Sequence, residues 1–223
     1  MSKILLVTWC LVFGLFSTCF GAIKYDAHKV DLEDANGYLL FRYPVFHGDT
    51  PEEKAVVAKM NNTLHQLALN ETVAIQKTWN APSDNAKANF KSKDVDYTVT
   101  LLDANLASMV FTTTFAEGSR DALFFKDGWT FDLTTGAPVG WSSLVKPEDK
   151  YQFNKSNVIR LLQQGAKQGD YVLYWDFNGM KGVPDNYYVG SNGNIHLLFN
   201  PYDVSPYSAG VIDLDTNCLV KYQ

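Results

Sequence analysis

From Val95 to Leu101 apolar and polar residues alternate without a break: Val95, Tyr97, Val99 and Leu101 share one side of an extended chain, and Asp96, Thr98 and Thr100 the other. Side chains of a strand point alternately to opposite faces, so this stretch buries one face and wets the other only as β-structure. Such a strand needs neighbours, and the sequence supplies them. Tyr38 to Phe46 reads as a strand closing with Pro44. Asp103-Ala104-Asn105 carries hairpin-turn chemistry ahead of a β-branched and aromatic run from Ala107 to Phe115. A further strand spans Ala122 to Leu133, with a turn or bulge expected at Asp127-Gly128, with Trp129, Phe131 and Leu133 on one face, and with Thr134-Thr135-Gly136 ending it.

Two helices interrupt these runs. Thr50-Pro51-Glu52-Glu53 is a helix start: Thr50 can cap, Pro51 suits the first helical position, and Glu53 can reach back as in a capping box. Val56, Val57, Met60, Leu64 and Leu67 then follow at helical spacing, predicting a helix over 51–69. A polar stretch over 80–93 reads as a loop. A second helix is expected between Glu148 and Gln164, carrying Val158, Ile159 and Leu162, with Gly165 and Gly169 near its end. Beyond it, Tyr187–Val189 and Ile195–Phe199 flank the hairpin candidate Ser191-Asn192-Gly193-Asn194, and Val211–Leu214 and Cys218–Tyr222 flank a second at Asp215-Thr216-Asn217. Strand runs with two separate helices predict an α+β fold, its antiparallel sheet in two sub-regions packed against two main helices.

The amino terminus has a different character. Lys3 precedes Ile4 to Phe20, seventeen residues without a charge, and small residues follow at Gly21 and Ala22. This predicts a signal peptide over 1–21 and a domain over 22–223, as one piece or as two packed halves of about 24–140 and 141–223. Two other readings of the leader stay open: a lipoprotein box at Phe16-Ser17-Thr18-Cys19, with Cys19 the acylation site, and an uncleaved anchor. An exported, periplasmic or extracellular chain is the expectation, meeting the membrane only if lipidated or uncleaved. With Cys10 and Cys19 in the leader, Cys218 stands alone in the remainder, so packing and not a disulfide must hold the domain. Its apolar setting, Cys218-Leu219-Val220, predicts a buried, inert thiol.

The order strand, Tyr-Pro, helix, paired strands, then Phe131-Asp132-Leu133-Thr134-Thr135-Gly136 resembles the extracellular domain of the RsiV-type anti-sigma factors. So does Phe199-Asn200-Pro201-Tyr202-Asp203-Val204-Ser205-Pro206-Tyr207-Ser208-Ala209-Gly210, which is similar to that family's aromatic, Pro-Tyr and Gly closing segment. The likeness spans Tyr38 to Leu214. It implies a two-part α+β fold outside the cytoplasmic membrane, in a domain that also occurs alone in exported bacterial proteins and beside peptidoglycan deacetylase domains. In the best understood members it implies lysozyme binding that licenses proteolysis and frees a sigma factor. Two departures stand out. Only three residues precede the hydrophobic segment, which speaks against an anti-sigma role, and Gly118-Ser119-Arg120 stands where members often carry Gly-Gly-Ala-His.

The residues point to no catalytic, cofactor or metal site. His28, His47, His65 and His196 form no His-Glu-x-x-His or other close ligand pair, and no Gly-x-Ser-x-Gly elbow, P-loop or dinucleotide fingerprint occurs. His65 falls off the helical stripe and His196 on a strand beside Leu197, where a packed, hydrogen-bonded ring is expected. A net charge of -5 and three dispersed arginines argue against a nucleic-acid partner. Aromatic residues make up 14% of the chain, enough to fill a core and leave recognition surface besides. The partner-contact candidates are Tyr202, Pro206 and Tyr207, set against a purely structural role for that loop. Together with the resemblance, this predicts an exported, non-enzymatic binding or sensing module of the bacterial envelope, its partner a protein such as lysozyme or a cell-wall component. The alternatives are a cell-wall-active hydrolase or deacetylase-associated accessory domain, and a structural envelope lipoprotein. Three sequons, at Asn61, Asn70 and Asn154, carry no meaning in a bacterial protein.

Overall fold

The computed structural model describes residues 23–80, 91–118 and 122–222. The leader with Cys19, most of the expected loop over 80–93, and Ser119-Arg120 lie outside the described residues. The fold is α+β, with strands β1 (Lys24–Asp34), β2 (Gly37–His47), β3 (Lys91–Leu102), β4 (Leu106–Glu117) and β5 (Leu123–Asp132) in one sheet of order β1-β2-β3-β4-β5. Strands β6 (Tyr187–Val189), β7 (Asn194–Phe199) and β8 (Ile212–Leu219) form an antiparallel second sheet in that order. The helices are α1 (Pro51–Trp79), α2 (Trp141–Leu144) and α3 (Lys155–Gln168). The β2–β3 pairing departs from the antiparallel expectation: these strands run parallel, because α1 lies between them and carries the chain back.

The described residues divide into two compact units, the first holding 23–80, 91–97, 112–118, 122–123 and 133–136, the second 98–111, 124–132 and 137–222. In the first unit α1 packs against β2. Val57, Met60, Leu64, Ala68, Ile75 and Trp79 of α1 and Leu39, Phe41, Tyr43 and Phe46 of β2 are buried. The capping box forms as read: Thr50 Oγ1 accepts from Glu53 N (3.1 Å), and Glu53 Oε2 accepts from Thr50 N (3.0 Å). The helix runs ten residues past the expected end, because Ile75 and Trp79 extend the stripe by helical steps from Ala68, and Trp79 Nε1 donates to Lys91 O (3.0 Å). Asn61 binds the β2 backbone twice, donating to Phe46 O and accepting from Phe46 N, each at 2.8 Å. Strand β1 was not expected, since its alternation is hidden by charge. Lys24, Asp26, Lys29, Asp31, Glu33 and Asp34 line a sheet edge, where charged side chains block further pairing.

In the second unit one core gathers Leu144, Phe153, Val158, Leu162, Tyr187, Ile195, Leu197, Ile212 and Leu214. A polar relay ties β6 to the neighbouring strand segments. Ser108 Oγ lies 2.8 Å from Thr130 Oγ1 and accepts from Val189 N (2.8 Å), while Thr100 Oγ1 donates to Val189 O (2.7 Å). Three expectations are corrected here. Strand β5 runs through Asp127-Gly128 without interruption; the glycine is there because Tyr187 O would lie 1.9 Å from a Cβ at that position. The helix expected over 148–164 is two pieces, a 3-10 turn (Pro147–Phe153) and α3, divided where Asn154 takes an extended conformation and its side chain caps Asn157 N (2.8 Å). Gly169 closes α3 in the left-handed conformation (φ +86°), as its place in the sequence suggests. Finally, Asp215-Thr216-Asn217 is no hairpin: β8 is one strand, and a register irregularity opposite Asn194–His196, with Asn217 at φ +54°, stands where the turn was read.

Candidate functional site

The Tyr202–Tyr207 loop leaves the end of β7 and is built from within. Asn200 N donates to Asp203 Oδ2 (2.8 Å), Asp203 N to Asn200 O (3.0 Å) and Tyr202 N to Ser205 O (3.0 Å). Val204 and Ser205 are buried and pin the loop, while Tyr202 points out, 61% exposed. Tyr202 also has φ +76°, a left-handed backbone that costs a non-glycine residue about 1–2 kcal/mol. Tyr207 stacks beside it, ring centroids 6.2 Å apart and planes at 23°. Pro206 is half-buried and precedes a 3-10 turn (Tyr207–Ala209). The structure thus brings Tyr202 and Tyr207 together as a ring pair and leaves Pro206 as a backbone element.

The aromatic residues clustered at Tyr171, Tyr174, Trp175 and Phe177 separate by role. Tyr171 and Phe177 pack against the second unit's core, and Tyr174 N donates to Val204 O (3.2 Å), joining this segment to the Tyr202 loop. Trp175, one residue on, is 96% exposed. Beside the loop lies a groove of about 740 Å³, lined by Lys155, Met180, Lys181, Phe199, Tyr202 and Asp203 among others. Lys155 and Lys181 are exposed and make no ion pair among the described residues.

A second constellation lies on the outer face of the three-stranded sheet. Tyr188, His196, Asp213 and Asp215 come from three strands, brought side by side by the pairings Tyr188↔His196 and His196↔Asp215. His196 Nδ1 donates to Asp213 Oδ1 (2.9 Å), Tyr188 donates to Asp213 Oδ2 (2.8 Å), and the Tyr188 and His196 rings stack at 4.6 Å. Partial burial pushes the Asp213 pKa up. Hydrogen bonds from His196 and Tyr188 outweigh this and hold it below its ordinary value. Burial and the Asp213 hydrogen bond and charge raise the Tyr188 hydroxyl. Asp215 accepts from Asn194 Nδ2 with both oxygens (3.0 and 3.1 Å) and from Asn217 N (2.7 Å). The sequence held a signal for this row: Asp213, Asp215 and Asn217 alternate with Ile212, Leu214, Thr216 and Cys218. Reading a turn at 215–217 broke that alternation.

His65 is exposed, its Nδ1 3.2 Å from the Tyr43 hydroxyl. Cys218 is buried, and burial raises its thiol pKa. Among the described residues no three His, Cys, Asp or Glu side chains are placed to hold a metal ion, and no helix is long and apolar enough to cross a membrane.

These features define a two-unit α+β protein whose second unit carries a lysine-lined groove beside an exposed aromatic loop. The profile of a family described as a protein of unknown function, DUF3298, matches residues 142–215, which run from α2 into β8 and include the loop. Two solved structures share the fold. One is a member of the DUF3298 family from Bacteroides fragilis NCTC 9343, 16% identical, covering 87% of this chain and 90% of its own, with a TM-score of 0.56. The other is a DUF3298 family protein from Pseudomonas aeruginosa PAO1, 13% identical, covering 89% and 94%, with a TM-score of 0.57. No curated protein matches the sequence.

Proposed function

We propose that this chain is an exported, non-enzymatic binding module of the bacterial envelope, and that it meets its partner with the exposed rings of Tyr202 and Trp175. One observation carries the reading: the loop holds Tyr202 in a left-handed backbone while exposing its ring. Strain of that kind persists only where the surroundings enforce it, and it concentrates at functional positions. Here a buried Val204 and the Tyr202–Ser205 backbone bond enforce it. Exposed Trp and Tyr offer large contact area at small entropy cost and dominate protein interfaces.

The first partner to test is a protein, with lysozyme the one implied by the resemblance to RsiV-type domains; the net charge of -5 suits a basic surface. The test is retention of the purified protein on immobilised lysozyme. Retention that falls about tenfold or more in Trp175→Ala and Tyr202→Ala supports the reading. Absence of binding at micromolar concentration removes lysozyme as the partner. A hydrolase reading is separated from this one by incubating the pure protein with peptidoglycan, where release of soluble fragments would replace the binding role with an enzymatic one.

A further inference from the structure

The groove beside the Tyr202 loop asks for a different chemistry from the exposed aromatic rings. Its walls carry two cations without ion-pair partners among the described residues, Lys155 and Lys181, in a chain whose net charge is -5. Lys155 is also the first residue of α3, so the positive end of that helix adds to the field at the same wall. Asp203, whose Oδ2 accepts from Asn200 N, contributes one negative charge, which leaves the two lysines in excess along the lining. Met180 and the buried Phe199 supply an apolar floor. Tyr207 stacks on Tyr202, and the Tyr202 ring remains largely exposed at the groove's edge.

An extended peptide captured by strand addition would need a free strand edge. The groove offers none. Phe199 belongs to β7, the central strand of its sheet, paired on both sides, and the residues at 178–184 form no strand. An aromatic face flat against a sugar ring's C–H face, with cations placed for carboxylates, fits a glycan carrying acidic peptides better. We infer that the groove formed by Lys155, Lys181, Met180, Phe199 and Tyr202 binds a glycan substituted with short acidic peptides, the sugar ring lying on Tyr202 and the peptide carboxylates pairing with the two lysines. This deepens the binding-module reading and rests on it, since both use Tyr202.

The experiment is co-sedimentation of the purified full chain with peptidoglycan sacculi, native and with their carboxylates amidated. Wild-type protein is expected to sediment with native sacculi. Amidation, the double variant Lys155→Gln/Lys181→Gln and Tyr202→Ala are each expected to weaken binding about tenfold or more, at unchanged thermal unfolding for the exposed lysine pair. Sedimentation that survives amidation or loss of both lysines overturns the inference, as does failure of wild-type protein to sediment. If sacculi are not bound but lysozyme is retained in a Trp175-dependent way, the glycan inference fails and the binding-module reading stands. If neither ligand is bound, the glycan and lysozyme assignments fall together.

Discussion

Gly128→Ala tests the packing of the second unit at its tightest point. A Cβ at residue 128 would sit 1.9 Å from Tyr187 O and 2.4 Å from its carbonyl carbon, where contacts under 3.0 Å are essentially never found. The β6 backbone would have to retreat by about 1.1 Å. That retreat pulls on two amide contacts: Gly128 N donates to Asn186 Oδ1 at 2.9 Å, and Asn186 Nδ2 donates to Lys126 O at 2.8 Å. Losing both costs about 1 kcal/mol each, and forced overpacking adds about 1–3 kcal/mol. The expected loss is therefore about 3–5 kcal/mol, a large part of a domain's usual margin. In urea, with a slope of about 2 kcal/mol per molar, the midpoint should fall by roughly 2 M. Circular dichroism and tryptophan fluorescence follow the transition. Gly182→Ala is the control: no atom lies within 4 Å of a Cβ there, and a change within about 0.5 kcal/mol is expected. A Gly128→Ala protein within about 1 kcal/mol of wild type would refute the claim that the Tyr187 carbonyl is held against this strand.

Three further outcomes are expected. Ser205 is fully buried and its hydroxyl has no hydrogen-bond partner among the described residues, so Ser205→Ala should raise stability by about 1 kcal/mol, read as an increase in the urea midpoint. Asp213 has its pKa lowered in the folded protein, so its contribution to stability is full above the unfolded value of 3.8 and disappears as pH falls through the lower folded value. The stability gap between wild type and Asp213→Asn should accordingly be open at pH 7 and close below about pH 4 in pH-dependent unfolding. Cys218 is buried with a raised thiol pKa, so alkylation mapped by mass spectrometry should leave it unmodified under native conditions and modify it only in denaturant.

Local rules settled much of the secondary structure. The capping box at Thr50, the alternation around Val95, the Asp103 turn and the left-handed close at Gly169 each depend on residues a few positions apart, so a short window contains their cause. Where the reading missed, the deciding partner lay far along the chain. Strand β1 looks like a charged loop until β2 pairs with it from Lys24 to Asp34. Gly128 looks like a turn until the Tyr187 backbone, from another sheet, is seen pressed against it. Asp215 to Asn217 has turn composition, yet pairing with β7 draws it into a strand.

The same division applies to the site. The sequence by itself determined that a Tyr-rich, Pro-containing loop closes the domain and that no familiar catalytic motif is present. Only the tertiary structure decided that Tyr202 points outward while Val204 and Ser205 point in, that Trp175 alone of its cluster is almost fully exposed, and that Lys155 and Lys181 face one groove. Exposure and charge juxtaposition are sums over neighbours from several strands and helices, whereas a turn or a helix cap is fixed by the backbone geometry of its own few residues.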